Sequence, residues 1–197
     1  DLDEPTIARV NMTRAAQGLQ PGLLRLAARI GLSLSNHLGA HDVHDALAQR
    51  CWGPGSLIVL DEAQFMSDDL IHGIRSLWDE LDQRGTPAGI MLVGTPDLAV
   101  RIKGHGRKAV AFEAFRGRLG INLQLASLEA DDVAAICEHY GISETKSVAL
   151  VRRAASHSGG LHNVTRLLAQ AMRVAAEGKP PTYAQLTQAA ELAGLSS

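Results

Sequence analysis

The stretch 55-GSLIVLDEAQFM-66 decides how the chain is to be read. Leu57 to Leu60 form an unbroken apolar run of strand length, the signature of a strand buried on both faces of a parallel sheet. The run stops abruptly at two adjacent carboxylates, Asp61 and Glu62. In open parallel sheets ligands gather outside the carboxyl ends of the strands, so an acidic pair there is placed for chemistry. One carboxylate can hold the water shell of a nucleotide-bound Mg²⁺ while its neighbour orients the water that attacks a γ-phosphate. The plain alternative is that an isolated acidic pair caps the next turn. The surrounding pattern has to decide between them.

Working outward, "TIARVNMT" (6–13) reads as a short strand, and "PGLLRLAARIGL" (21–32) as a helix with Pro21 at its start. "DVHDALAQRC" (42–51) gives a second helix. After the quoted strand, "SDDLIHGIRSLWDELDQRG" (67–85) is a helix with Ser67 as N-cap and Gly85 as terminator, and "AGIMLVGT" (88–95) is a further strand. Strands separated by such helices need crossover connections, which predicts a mainly parallel sheet covered on both faces. Beyond Ala126 the period changes. "LEADDVAAICEHYG", "SETKSVALVRRAASHSGG", "LHNVTRLLAQAMRVAAEG" and "TYAQLTQAAELAG" are all helical in spacing, separated by glycines and prolines. The expected architecture is an α/β body over 1–127 followed by a small all-helical lid domain over 128–197.

Composition bounds the function. A chain of 197 residues with 46% hydrophobic and 20% charged residues is ordinary globular material. A net charge of -2 offers no global attraction to nucleic acid, so any such binding needs a local patch. The two cysteines, Cys51 and Cys137, have neither metal nor redox spacing. No apolar run reaches the roughly 18 residues of a membrane helix, and the acidic start is no signal peptide. These features point to a soluble, cytoplasmic protein. His41, His44, His157 and His162 find no third ligand at useful spacing, which argues against zinc.

One crossover unit beyond the acidic pair, "GIMLVGTPD" is a second buried strand ending at Thr95, whose hydroxyl would emerge beside Asp61 and could bond a γ-phosphate or its attacking water. Alone, "GTPD" is also an ordinary turn. "AFEAFRGRLGINLQLA" (111–126) then supplies Arg116 and Arg118 ahead of a strand of alternating character. An arginine so placed can reach a nucleotide on a neighbouring subunit, an effect worth roughly 10³ to 10⁵ in rate. "RIKGHGRKAV" (101–110) sets Arg101, Lys103, Arg107 and Lys108 around two glycines, a flexible cationic loop that could follow phosphates or simply be solvated.

The order of "LIVLDEAQ", "IMLVGTPDL", "FRGRLG" and "SGGLHNVTRLL" resembles an AAA+ P-loop ATPase: Walker B, sensor 1, arginine finger and the start of the sensor 2 helix. More narrowly, the chain is similar to the transposition ATPases of the MuB, TniB and TnsC kind, with the secretion ATPase ExeA as a relative. That resemblance implies an ATP- and Mg²⁺-dependent, DNA-binding regulator of transposition, working as a ring or helical filament with double-stranded DNA and a transposase as partners. It implies Asp61 as the magnesium carboxylate and Glu62 as the water-activating one. Thr95 matches sensor 1, and Arg118 the trans-acting finger, with Arg116 as second candidate. The sensor 2 arginine falls on Asn163, with Arg166 one turn away. Arg14, just past the first strand, joins Arg101, Lys103, Arg107 and Lys108 as a DNA-contact candidate.

The sequence contains no G-x-x-x-x-G-K-[ST], and its one Gly-Lys pair, Gly178-Lys179, is followed by proline. The expectation is therefore a fragment whose phosphate-cradling segment lies upstream, rather than a degenerate paralogue, and a chain that by itself hydrolyses nothing. Three other readings stay open. An ExeA-like secretion ATPase shares the motif order. A helicase is suggested by "DEAQ", but no Ser-Ala-Thr type motif follows the next strand. A nucleotide-independent adaptor could use the same fold for partner contacts.

Overall fold

The computed structural model describes residues 6–195 apart from Cys51, Pro54, Pro87 and Ser158, and the side chain of Lys108, an expected DNA contact, lies outside the described residues. The chain divides into two compact units, one ending at Asn122 and the other beginning at Leu123.

The first unit is built on a three-stranded sheet in which every pairing is parallel, in the order β1 (Ile7–Asn11), β2 (Leu57–Asp61), β3 (Gly89–Leu92). The register sets Ile7 opposite Leu57 and Asn11 opposite Asp61, then Leu57 opposite Gly89 and Leu60 opposite Leu92. Alternate side chains of a strand face opposite ways, so Ala8, Val10, Ile58 and Leu60 point into one core. That face is covered by α1 (Leu19–Arg29), α2 (Ala40–Gln49) and α3 (Asp68–Gln83) through Leu23, Leu26, Val43, Leu47, Ile71 and Leu77.

The opposite face departs from expectation. Ile7 is 73% and Met91 50% exposed, so among the described residues helices cover the sheet on one side only. Crossover helices predict cover on both sides, and the continuous apolar run of β2 agrees with that expectation. Here it reflects the central position of the strand.

α3 shows why these residues become a helix. Ser67 Oγ accepts the Leu70 N–H at 3.1 Å, and Asp68 and Asp69 occupy the positively polarised first turn. Leu70, Ile71, Ile74, Leu77 and Leu81 form the buried stripe. Gly85, at φ 70°, ends the helix as the Thr86 N–H returns to the Leu81 carbonyl at 3.0 Å.

Two further expectations are corrected. The cationic stretch expected to be a loop is mostly helical: α4 (Pro96–Lys103) and α5 (Arg107–Ala111) leave only 104–106 between them, with α6 (Glu113–Arg116) following. Thr95 and Pro96 start α4, which a turn reading of "GTPD" hides. The alternating segment after Arg118 is not a strand, because no described strand pairs with it, and Ile121, Leu123 and Leu125 are 80%, 81% and 92% exposed.

The second unit comprises α7 (Ala130–His139), α8 (Thr145–Ser156), α9 (Gly160–Val174) and α10 (Tyr183–Leu192). Val133, Cys137, Val151, Leu167, Leu168, Ala171 and Leu186 form its own core. Burial pushes the Cys137 thiol pKa up, with Arg152 opposing. Among the described residues no helix is long and apolar enough to cross a membrane.

Candidate functional site

At the carboxyl end of β2, Asp61 is fixed from three sides. Its carbonyl accepts the Met12 N–H at 2.8 Å, its Oδ1 accepts the Glu62 N–H at 3.0 Å, and its Oδ2 accepts from Arg9 Nη2 at 2.6 Å. Arg9 lies on the uncovered sheet face, two residues before the register partner of Asp61, which is why its guanidinium reaches across. That hydrogen bond holds the Asp61 carboxyl below the usual carboxylate range; partial burial opposes it and the Glu62 N–H adds to it.

Glu62 sits at φ 56°, ψ 36°, and among the described residues it is the one non-glycine with positive φ. The left-handed region costs an L-residue roughly 1–2 kcal/mol. The surrounding bonds impose it, since Ala63 N–H donates to the Val93 carbonyl at 2.9 Å and Val93 N–H donates to the Leu60 carbonyl at 2.9 Å. Such a kink aims the Glu62 side chain outward at the strand end, where it is exposed. Strained backbone of this kind gathers at functional sites.

Gln64 joins Glu62 to the third candidate. Its Nε2 donates to Glu62 Oε2 at 2.6 Å, and its Oε1 accepts the Thr95 N–H at 3.2 Å. Thr95 is the N-cap residue of α4, yet its side chain makes no capping bond, and the residue is exposed beside the same strand end. Asp61, Glu62 and Thr95 are thus brought together. The oxygen donors suit a hard cation, and Arg9, with a side chain 71% exposed, can swing away from the Oδ2 it now neutralises. Sequence reasoning missed Arg9 and Gln64. Parallel register places the first; the second was in view as the last letter of "DEAQ".

The basic candidates divide. Arg14 stacks its guanidinium 5.8 Å from the Phe65 ring, next to the turn after Glu62. Arg101 also faces that turn, donating to the Gln64 carbonyl at 3.2 Å and lying 3.5 Å from Asp68. Lys103 and Arg107 are exposed on either side of the 104–106 turn. Arg116 donates to the Ile102 and Lys103 carbonyls at 3.0 and 3.1 Å, holding the end of α4. Arg118 grips Asp79 of α3 through both carboxylate oxygens, at 3.0 and 3.3 Å. Asp79 lies roughly 18 Å along α3 from Ser67 at 1.5 Å per residue, so Arg118 is not part of the strand-end cluster. Asn163 is buried in the first turn of α9, and Arg166 donates to the Ala193 carbonyl at 2.9 Å; both belong to the second unit.

His44, Asp45 and Glu80 bring ligand atoms within 4.8 Å of one another. Arg84 already neutralises Glu80, at 2.6 and 3.0 Å.

The AAA domain family model matches residues 2–102, and the C-terminal model of the Mu B transposition protein matches 117–192. The chain is 27% identical over 131 residues to the ATP-dependent target DNA activator B of Escherichia phage Mu, and 26% identical over 131 residues to that of phage D108. Each alignment covers 66% of this chain and 39% of the relative, so the match spans about two fifths of those proteins. The solved Aeropyrum pernix ORC2 protein, in its ADPNP–ADP complexes, superposes with TM-score 0.61 at 15% identity, over 94% of this chain and 52% of that one. That likeness shows the fold: an α/β P-loop type sheet followed by a helical C-terminal part.

Proposed function

Because this chain belongs to the AAA domain family, we propose that it supplies the Walker B carboxylates, the sensor residues and the Mu B-like helical unit of an ATP-dependent, oligomeric regulator of DNA transposition. The observation that carries the reading is that Gln64 links Glu62, next to Asp61 at the end of β2, to the Thr95 backbone just beyond the neighbouring β3, in a chain whose C-terminal portion matches the Mu B model. The phage relatives are described as activators of target DNA, which supports double-stranded DNA and a transposase as partners.

In this mechanism Asp61 would hold Mg²⁺ through its water shell once Arg9, now on its Oδ2, turned away. The bound ion would supply neutralisation of phosphate charge. Glu62 accepts a hydrogen bond from the attacking water and orients it, while the Thr95 hydroxyl bonds that water or the γ-phosphate. Arg118 exchanges Asp79 for a phosphate on a neighbouring subunit and stabilises developing charge there. Asn163 and Arg166 are carried as candidate nucleotide contacts. Arg14, Lys103, Arg107 and Lys108 form a sequence-tolerant contact to DNA phosphates, with Arg101 bracing the turn behind them.

The test uses the full-length protein. Glu62→Gln should keep ATP binding, lose hydrolysis and prolong the lifetime of DNA-bound assemblies. Arg118→Ala should also lose hydrolysis, and mixing the two variants should restore part of it, since a mixed interface can pair an intact finger with an intact carboxylate. Wild-type turnover by Glu62→Gln overturns the assignment. Unaltered DNA binding together with no ATP binding by the wild-type protein would favour the adaptor reading, in which the Arg9–Asp61 pair is a permanent structural contact.

A further inference from the structure

We propose that Gln64 is the positioning residue of the catalytic carboxylate: its side-chain amide ties Glu62 to the backbone at Thr95, so that the water-orienting group and the start of α4 move as one. The inference rests on the reading of Glu62 given above.

The chemistry of the amide fixes its orientation. The Thr95 N–H is a donor and needs Oε1 opposite it, so Nε2 must face the acceptor-only carboxylate of Glu62. At 2.6 Å the bond to Glu62 Oε2 is short and charge-assisted. With Oε2 tied, Oε1 of the carboxylate is the oxygen left for water. Otherwise Glu62 would be an exposed, freely rotating side chain on a kinked backbone.

The surroundings of Gln64 restrict it in turn. Arg101 of α4 holds its backbone carbonyl at 3.2 Å. Gly94 leaves the room its amide occupies, since a Cβ at 94 would stand 2.8 Å from Gln64 Oε1 and 3.3 Å from its backbone nitrogen. The two ties are independent of each other: one acts from a helix, the other from the absence of a side chain at the strand end.

The experiment compares steady-state and single-turnover ATP hydrolysis by the full-length protein and its variants. Gln64→Met keeps the length of the side chain and removes both hydrogen bonds, and Gly94→Ala crowds the amide at 2.8 Å, its next approach being to Leu98 Cδ2 at 3.2 Å. Each should lower kcat by about a hundredfold, the scale of a misplaced catalytic group, with KM for ATP little changed. On a Glu62→Ala background, Gln64→Met should cause no further loss, because it acts only through the carboxylate. A wild-type or raised kcat for Gln64→Met overturns the proposal, as does a full additive loss on the Glu62→Ala background. Undiminished hydrolysis by Glu62→Ala itself removes the parent reading, and the proposal with it. Abolished hydrolysis in Glu62→Ala with normal Gln64→Met turnover removes only the role of Gln64.

Discussion

Asp61 keeps its charge into the acid range because Arg9 offers a donor 2.6 Å from one of its oxygens. A carboxyl whose folded pKa is depressed stabilises the fold above its unfolded value, and that contribution fades as pH falls through the folded value. Arg9→Ala should therefore raise the Asp61 titration midpoint, read by carbon NMR of the carboxyl, towards the ordinary value of about 3.9. The accompanying stability loss should be small, within the ~0–1 kcal/mol of exposed pairs, present near neutral pH and vanishing at the acid end. An unmoved midpoint would contradict the pairing. This contact also shows what a sequence conceals. Asp61, Glu62 and Thr95 were legible because each ends an apolar run, a property of a few neighbouring residues. Arg9 and Asp61 stand 52 residues apart, and only the parallel register of β1 on β2 brings them together.

At the scale of elements, α1 and α3 cross with glycines on both sides of the contact. A Cβ at Gly22 of α1 would stand 2.3, 2.8 and 3.1 Å from three side-chain atoms of Leu70 on α3, and a Cβ at Gly73 of α3 would stand 2.3 Å from Leu19 Cδ1 on α1. The two substitutions should differ. Leu70 is fully buried, so Gly22→Ala forces its whole isopropyl group to shift, costing about 1–3 kcal/mol in urea denaturation. Leu19 is half-buried and meets the new atom with one methyl, so Gly73→Ala should be nearer neutral, helped by the ~1 kcal/mol helix preference of alanine. Equal losses would contradict this account. α3 was legible from end to end because Ser67, the apolar stripe and Gly85 are local signals that agree. The segment 119–126 alternates as a strand should, and was misread because strand formation depends on a neighbour to pair with. α4 was missed for a different reason: its Pro96 and Asp97 suit a turn as well as a helix start.

On the scale of the molecule, two cores form within one chain, one around the sheet and one around α7 to α10. The change of hydrophobic period beyond Ala126, where alternation of strands and helices gives way to helices alone, puts an expected boundary at 127/128, whereas the chain divides at 122/123. In β2 the period does not convey which sheet face stays bare, because that strand is apolar on both sides; only the alternation of β1, with Arg9 and Asn11 exposed, marks it. The second core holds Cys137, a thiol that burial keeps protonated and away from solvent. It is consequently a chemical clock. In a Cys51→Ser background, alkylation of Cys137 can proceed only as fast as the helical unit exposes it, so the labelling rate counts openings of that unit. Leu167→Ala, which empties part of the same core at a cost of about 2–5 kcal/mol, should quicken labelling by at least tenfold. Labelling that ignores both this substitution and added urea would mean that reagent reaches the thiol without any opening at all.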